Sequence, residues 1–207
     1  IDVCINNLWI ALDTIIQIKD LFPSIPIISV CHSLIRMEHI TNLGSQYTNN
    51  YNEQETTFQH SDYVVLISKA EQIYYNRFGY DLFKTKTQVI YNSYIPKYDH
   101  VESKIDYTSN DIGYIGRHVP RKRPEIPIKA VEYLKKELVK VYNMGVDYDK
   151  YDNAYWRKLA KKYVDQLVVI PFSTDKKVKE EYWKKIGINC ITGIYEPFGY
   201  TICESID

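Results

Sequence analysis

The chain has few cysteines: four in 207 residues, Cys4, Cys31, Cys190 and Cys203, with no C-x-x-C pair and no metal-ligand spacing. Three of them lie in or beside apolar runs, where cysteine behaves as a small buried hydrophobe. All four read as reduced thiols, which favours a cytoplasmic protein over a disulfide scaffold. No apolar stretch approaches the roughly 20 residues of a membrane span, and no signal peptide is visible. Net charge is missing too. Lys plus Arg and Asp plus Glu number 26 each, so no global field draws the chain to nucleic acid, and no nucleic-acid binding is evident. Tyrosine is plentiful at 20 residues but scattered without a repeat, which points to compositional bias rather than chemistry.

What is present is ordinary for a globular protein: 45% hydrophobic and 25% charged residues, in a length that suits one large domain or two small ones. The charge is unevenly placed. Residues 1–110 hold 8 basic and 12 acidic side chains, and residues 111–207 hold 18 and 14, so an anionic ligand fits the second half better. The chain opens on Ile1 inside a strand-like run, Ile1–Ile5, and stops at Asp207 within an unfinished helix, so a fragment of a longer protein is expected.

Short apolar runs alternate with helical patterns. Ile25–Cys31, Tyr63–Ile67, Gln88–Tyr91, Ile112–Ile115, Leu167–Pro171 and Ile188–Thr192 read as strands whose near-continuous apolar character suits a parallel sheet covered on both faces. Leu8–Leu21, Asn50–His60, Lys69–Phe78, Glu125–Lys135, Ala154–Asp165 and Lys176–Ile186 read as helices. The last puts Val178, Tyr182 and Ile186 on one face, with the lysines of Asp175–Lys185 forming a solvated one. This alternation predicts α/β doubly wound domains. The polar stretch Ile95–Asp111 separates two strand–helix series. It gives a partial first domain over 1–96, a linker over 97–110 and a partial second domain over 111–207. Such a pair encloses a cleft at the carboxyl ends of its sheets, the usual place for a nucleotide.

Two segments carry chemistry. In the first, strand Ile112–Ile115 runs into Gly116 and then Arg117, His118, Arg121, Lys122 and Arg123 before a helix near Glu125. Basic side chains at the carboxyl edge of a parallel strand make a diphosphate clamp, Arg as a fork and Lys as a point charge. A solvated basic loop is the bland alternative. In the second, strand Ile188–Thr192 leads through Gly193 to Glu196-Pro197-Phe198-Gly199, and a helix begins near Tyr200 and Thr201. Gly199 permits close backbone approach, and the N–H groups of a new helix can receive an anion. Glu196 and Glu204, eight positions apart, can hydrogen-bond sugar and ribose hydroxyls. The spacing alone means little; its strand–loop–helix setting is far more specific.

These residues resemble the retaining glycosyltransferases of family 4, with the GT-B fold. Glu196 to Glu204 is similar to that family's E-x7-E signature in its E-P-F-G form, and Gly116-Arg117-x4-Lys122 to its G-R-x4-K segment. Ser61–Ser68 resembles the A-D-x-V-I-x-x-S strand, Val89–Asn92 the V-I-x-N end of the first domain with Ser93 in place of glycine, and Val30–His32 the strand ending in a histidine that approaches the donor sugar. The match covers nearly the whole chain in the expected order. It implies a nucleotide-diphosphate sugar as donor substrate, transfer with retained configuration, and no cofactor or metal. In these terms Arg117 and Lys122 contact the diphosphate, Glu196 and His32 face the transferred sugar, Gly116, Phe198, Gly199, Tyr200 and Thr201 shape the donor pocket, and Glu204 holds the ribose. A glycan or lipid-linked acceptor is implied, which leaves room for peripheral membrane contact. The chain departs from the pattern in lacking the family's Gly-rich loop and in having Arg123-Pro124 where glycine usually follows Lys122.

His39, His60 and His100 read as surface residues, and His118 is undecided within the basic loop. Trp9, Trp156 and Trp183 read as core or interface aromatics, Ser68 and Asn92 as residues that order loops, and Ser33–Asn52 as the acceptor loop. Two other functions remain open: a nucleotide-sugar epimerase or hydrolase on the same fold, and a non-catalytic nucleotide-sugar-binding module.

Overall fold

The computed structural model describes residues 2–7, 11–41, 50–96, 109–134, 139–147, 151–162 and 166–206. The expected linker over 97–110 therefore lies almost wholly outside the described residues, as do Trp9, His100 and the middle of the expected acceptor loop. Chain contacts divide the protein into two units. Unit 1 comprises residues 1–93 together with Tyr195–Phe198, and unit 2 comprises residues 94–194 together with Gly199–Asp207.

Unit 1 runs β1 (Cys4–Asn6), α1 (Leu12–Leu21), β2 (Ile27–Cys31), α2 (Ile35–Thr41), α3 (Asn50–Gln59), β3 (Tyr63–Leu66), α4 (Lys69–Arg77) and β4 (Lys86–Val89). Its four strands are all parallel and follow one another across the sheet in chain order. Parallel strands need crossovers, and right-handed crossovers that always step the same way leave their helices on one face; α1 accordingly packs on α3. The covered face carries Phe58, Val64, Leu66, Tyr75 and Tyr80, with Phe58, Tyr75 and Tyr80 in mutual edge or tilted contact. Tyr195 is part of this core. Between β1, β2 and β3 the interior is polar but satisfied: Asn6 Nδ2 donates to Ser29 Oγ at 3.1 Å, Ser29 and Ser61 share a bond of 2.7 Å, and Ser61 donates to the Thr57 carbonyl. Ser68, expected to order a loop, caps α4 by accepting from the Glu71 amide at 3.1 Å.

Unit 2 runs β5 (Ile112–Ile115), α5 (Ile126–Ala130), β6 (Val141–Gly145), α6 (Asn153–Lys162), β7 (Leu167–Pro171), α7 (Lys176–Trp183), β8 (Ile188–Asn189) and α8 (Tyr200–Ile206). Its parallel sheet has the order β7-β6-β5-β8. The chain steps outward from β5 to β7 and then returns to the other side of β5. That reversal is the mark of a doubly wound sheet, and in such sheets ligands bind at the carboxyl ends of the strands that flank it, here β5 and β8. All four residues of β5 are buried, as its apolar sequence predicts. Gly113 lies under α7 and its continuation, where a Cβ would overlap Ile186 and crowd the Tyr182 hydroxyl at 2.6 Å.

Several expectations need correction. β6 was not anticipated, because Val141-Tyr-Asn-Met-Gly145 follows a lysine-rich stretch and interrupts its apolar run with Asn143, which is nonetheless fully buried. The short α2 was missed as well. The last strand of unit 1 sits at Lys86–Val89, not Gln88–Tyr91, and leaves Ile90 and Tyr91 exposed. β7, read as covered on both faces, is an edge strand with Val168 and Val169 open to solvent. On α7 the expected apolar face holds for Tyr182 and Ile186 but not for Val178, which is exposed.

Arg123 is the one non-glycine residue with positive φ among the described residues, at φ 48° and ψ 55°. The backbone thus makes the left-handed turn that glycine would make without steric penalty. The αL conformation costs a side-chain-bearing residue about 1–2 kcal/mol, and the extra entropy of glycine in the unfolded chain returns roughly half of that. Arg123→Gly is therefore expected to stabilise by about 0.5–1 kcal/mol, raising the thermal midpoint by ~2 °C. A lowered midpoint in a thermal melt would contradict this.

Candidate active site

In unit 2 the basic segment follows β5 at the topological reversal. The Gly116 amide is still paired to the Met144 carbonyl at 3.0 Å, and the Tyr114 hydroxyl donates to the Arg117 carbonyl at 3.1 Å. Arg117 itself is exposed. The chain then dives inward at His118, which the sequence left undecided and which is fully buried. Its amide donates to the Val146 carbonyl at 2.8 Å, its Nδ1 meets Asp147 Oδ1 at 2.6 Å and its Nε2 meets Asn143 Oδ1 at 2.8 Å. Trp156, expected as a core aromatic, lies 4.7 Å away edge-on and donates its Nε1–H to the same Asp147 oxygen at 2.7 Å. At Gly145 a Cβ would overlap the Gly116 carbonyl and the His118 ring, so β6 passes too close for a side chain. Asp147, Asn143 and Gly145 carry no sequence signal; only the fold brings them to His118.

Beyond His118 a 3-10 turn, Pro120–Lys122, holds the remaining basic residues. Arg121 turns inward and is 2% exposed, Lys122 is half-buried, and Arg123 points to solvent. The loop after β8 is tied to this turn. Thr192 Oγ1 shares its one proton between the carbonyls of Lys122 at 2.8 Å and Arg123 at 2.9 Å, and the Ile194 amide donates to the Arg121 carbonyl at 2.8 Å. The basic turn and the loop directly after β8 are thus joined within unit 2, at the carboxyl ends of β5 and β8. Thr192→Val keeps the shape and deletes both bonds. It is expected to cost about 1 kcal/mol of stability in a denaturant titration.

The rest of the E-P-F-G segment divides between the units. Gly199, at φ 90°, opens α8; Tyr200 is exposed and Thr201 half-buried. Glu204 is 8% exposed and engages Lys179 Nζ at 3.1 and 3.3 Å. This corrects the reading of Asp175–Lys185 as a wholly solvated face, since Lys179 turns from α7 to pair with a buried carboxylate.

Glu196 and Phe198, both half-buried, belong to unit 1. The preceding Tyr195 is 3% exposed, its hydroxyl accepting the Leu34 amide at 2.9 Å and donating to Glu71 Oε1. Burial, followed by the charge of Glu71, pushes the phenol pKa well above its ordinary range, so the group keeps its proton and donates. Leu34 lies in the loop after β2. His32, at the start of that loop, is exposed, and its Nε2 meets Asn7 Oδ1, just past β1, at 2.8 Å. The loop is held further by Gln54, which accepts from the Ile35 amide and donates to the Ser33 carbonyl, each at 2.9 Å. An open cleft of about 670 Å³ in unit 1 lies at the opposite, amino ends of β2, β3 and β4, lined by Lys19, Asp62, Lys84 and Lys86 and by none of the candidate residues.

A parallel sheet whose strand order reverses at β5 puts unit 2 in the class of open, doubly wound α/β domains. The family model described as "Glycosyl transferases group 1" matches residues 97–207, and the chain belongs to that family. The fold is that of GT-B glycosyltransferases. The sucrose-phosphate synthase of Thermosynechococcus elongatus superposes with a TM-score of 0.72 at 16% identity, over 99% of this chain and 53% of that one. Anabaena HepE, solved with UDP and glucose, gives 0.70 at 19% identity, over 99% and 56%. The pneumococcal O-GlcNAc transferase GtfA, solved with UDP and GlcNAc, gives 0.68 at 15%, over 99% and 40%. The chain therefore spans about half the length of these proteins or less. No curated protein sequence matches it. Among the described residues, no helix is long and apolar enough to cross a membrane.

Proposed function

We propose that the chain carries donor-site machinery of a retaining, metal-independent glycosyltransferase. It would move a sugar from a nucleotide-diphosphate sugar to a glycan, lipid-linked glycan or other acceptor, in the cytoplasm or at a membrane surface. The observation that carries this reading is the joining of the basic turn to the loop after β8 through Thr192 and Ile194. It supports a single anion-receiving edge built from the basic turn and the loop after β8, at the place where doubly wound sheets bind nucleotides. Family membership supports the reaction class. HepE and GtfA, whose structures hold UDP with a sugar, support a nucleotide sugar as donor.

In this reading the leaving nucleoside diphosphate gains negative charge as the anomeric bond breaks. Arg117 meets that charge with a guanidinium fork, and Lys122 with a point charge held near the sheet edge by its half-buried turn. Gly116 and Gly199 leave backbone bare beside the phosphates, with Tyr200 and Thr201 next to them. Glu204, paired with Lys179, accepts the ribose hydroxyls. Glu196 accepts hydroxyls of the transferred sugar, Phe198 bounds it, and His32, oriented by Asn7, faces it. Isothermal titration of the protein with UDP- and GDP-linked hexoses tests the proposal. Saturable binding of one of them is expected; binding of none would sink it.

A further inference from the structure

We propose that the Tyr195 hydroxyl is a positioning device for Glu196, locking the Tyr195–Phe198 segment onto the loop that follows β2. The proposal rests on the donor-site reading for its catalytic consequence, but the lock itself stands on geometry. Tyr195 sits in the core of unit 1 although its neighbours in sequence, up to Ile194 and from Gly199, belong to unit 2. Its ring packs edge-on against Tyr74 of α4 at 5.8 Å, a contact phenylalanine would make equally well. The hydroxyl is what adds direction. It accepts from the Leu34 amide at 2.9 Å, lies 3.5 Å from Ser33 Oγ, and donates to Glu71 Oε1.

Glu71 is fully buried, an unfavourable place for a carboxylate unless its bonds are well made. Its backbone amide is already engaged by the Ser68 cap of α4, so its place is fixed before Tyr195 arrives. The phenol thus bridges two rigid points, the first turn of α4 and the amide two residues past His32, and the next residue along the chain is Glu196. One peptide separates a fully specified hydroxyl from a carboxylate whose position has to be accurate for sugar recognition. Tyr195 touches no reacting atom in this scheme; it acts through Glu196.

Hydrogen exchange and steady-state kinetics on the intact chain test this. Tyr195→Phe should speed exchange of the Leu34 amide and of the amides of Glu196, Phe198 and Gly199, with protection of the β5–β6 pairing unchanged. Glu71→Gln, which keeps an acceptor for the phenol, should leave those amides close to wild type. Unchanged protection of 196–199 in Tyr195→Phe would overturn the lock, whatever the enzyme does. In transfer assays Tyr195→Phe should lower kcat about tenfold with donor KM within about twofold. In a Glu196→Gln background the same substitution should have less than a twofold effect on kcat, because the residue it positions is already disabled. Independent, multiplying effects would show that Tyr195 serves the fold at large and would overturn the positioning role. Absence of any nucleotide-sugar binding by wild type would instead sink the donor-site reading, and the exchange data would still decide the lock.

Discussion

Asp147→Ala is expected to destabilise the protein by about 2–4 kcal/mol, the largest stability effect of any single substitution considered. One oxygen, Asp147 Oδ1, receives both the His118 Nδ1–H at 2.6 Å and the Trp156 Nε1–H at 2.7 Å. The imidazole has no exposed surface and the indole is 3% exposed, so alanine would strand two buried donors. A stranded buried donor costs about 1–3 kcal/mol. The total falls below the sum of the upper limits because Asp147 is itself 37% exposed and water can reach part of the vacated space. For a chain of this size the corresponding fall in thermal midpoint is roughly 6–12 °C. Asp147→Asn keeps an acceptor oxygen and should cost less than about 1 kcal/mol. Guanidinium titrations of the three proteins would check the order. If Asn proved as damaging as Ala, charge rather than hydrogen bonding would be holding His118. The effect should also reach the proposed donor edge, because the His118 amide and the Tyr114 hydroxyl together hold the peptide that joins Arg117 to His118.

The sequence made the class of this fold visible because its sheet is built from apolar runs that need little context. Ile112–Ile115 is buried at every position and was found to the residue. Asn143 shows where that logic stops. It occupies the middle of a central strand, where a polar side chain argues against burial, and it is tolerated because His118 supplies a partner 25 residues away in sequence. Long-range partners of this kind have no local signature. The same holds for Lys179, one of several lysines on α7 with no mark to distinguish it, yet the one that meets Glu204. Tyr195 is an extreme case. It directly precedes the recognisable E-P-F-G segment, but its partners Leu34 and Glu71 lie more than a hundred residues back. Motif residues were legible because chemistry restricts their type and spacing. Residues that support them were not, because any donor or acceptor placed there by the fold would serve.

Joint replacement of Arg117 and Lys122 by alanine is expected to weaken nucleotide-sugar binding by a factor of about 10²–10⁴ while leaving stability within ~0.5 kcal/mol of wild type. Hydrogen bonds between a charged donor and a phosphate are each worth about 1.5–3 kcal/mol, and two lost together give the stated range. Stability should hold because Arg117 is exposed and Lys122 half-buried, and the turn that carries Lys122 is held through its backbone: Thr192 on the Lys122 and Arg123 carbonyls, Ile194 on the Arg121 carbonyl. The inward Arg121 is expected to behave in the opposite way, with Arg121→Ala damaging the fold before it damages the ligand site. Arg117→Lys retains charge but loses the fork, so an intermediate loss of about tenfold is expected. The diphosphate assignment makes one further demand. A nucleoside without phosphates should bind wild type and the double variant alike, since neither side chain is assigned to base or ribose. Calorimetry with the nucleoside, the nucleoside diphosphate and the nucleotide sugar would decide the matter. If the double variant bound all three as wild type does, the basic turn would be only a solvated loop.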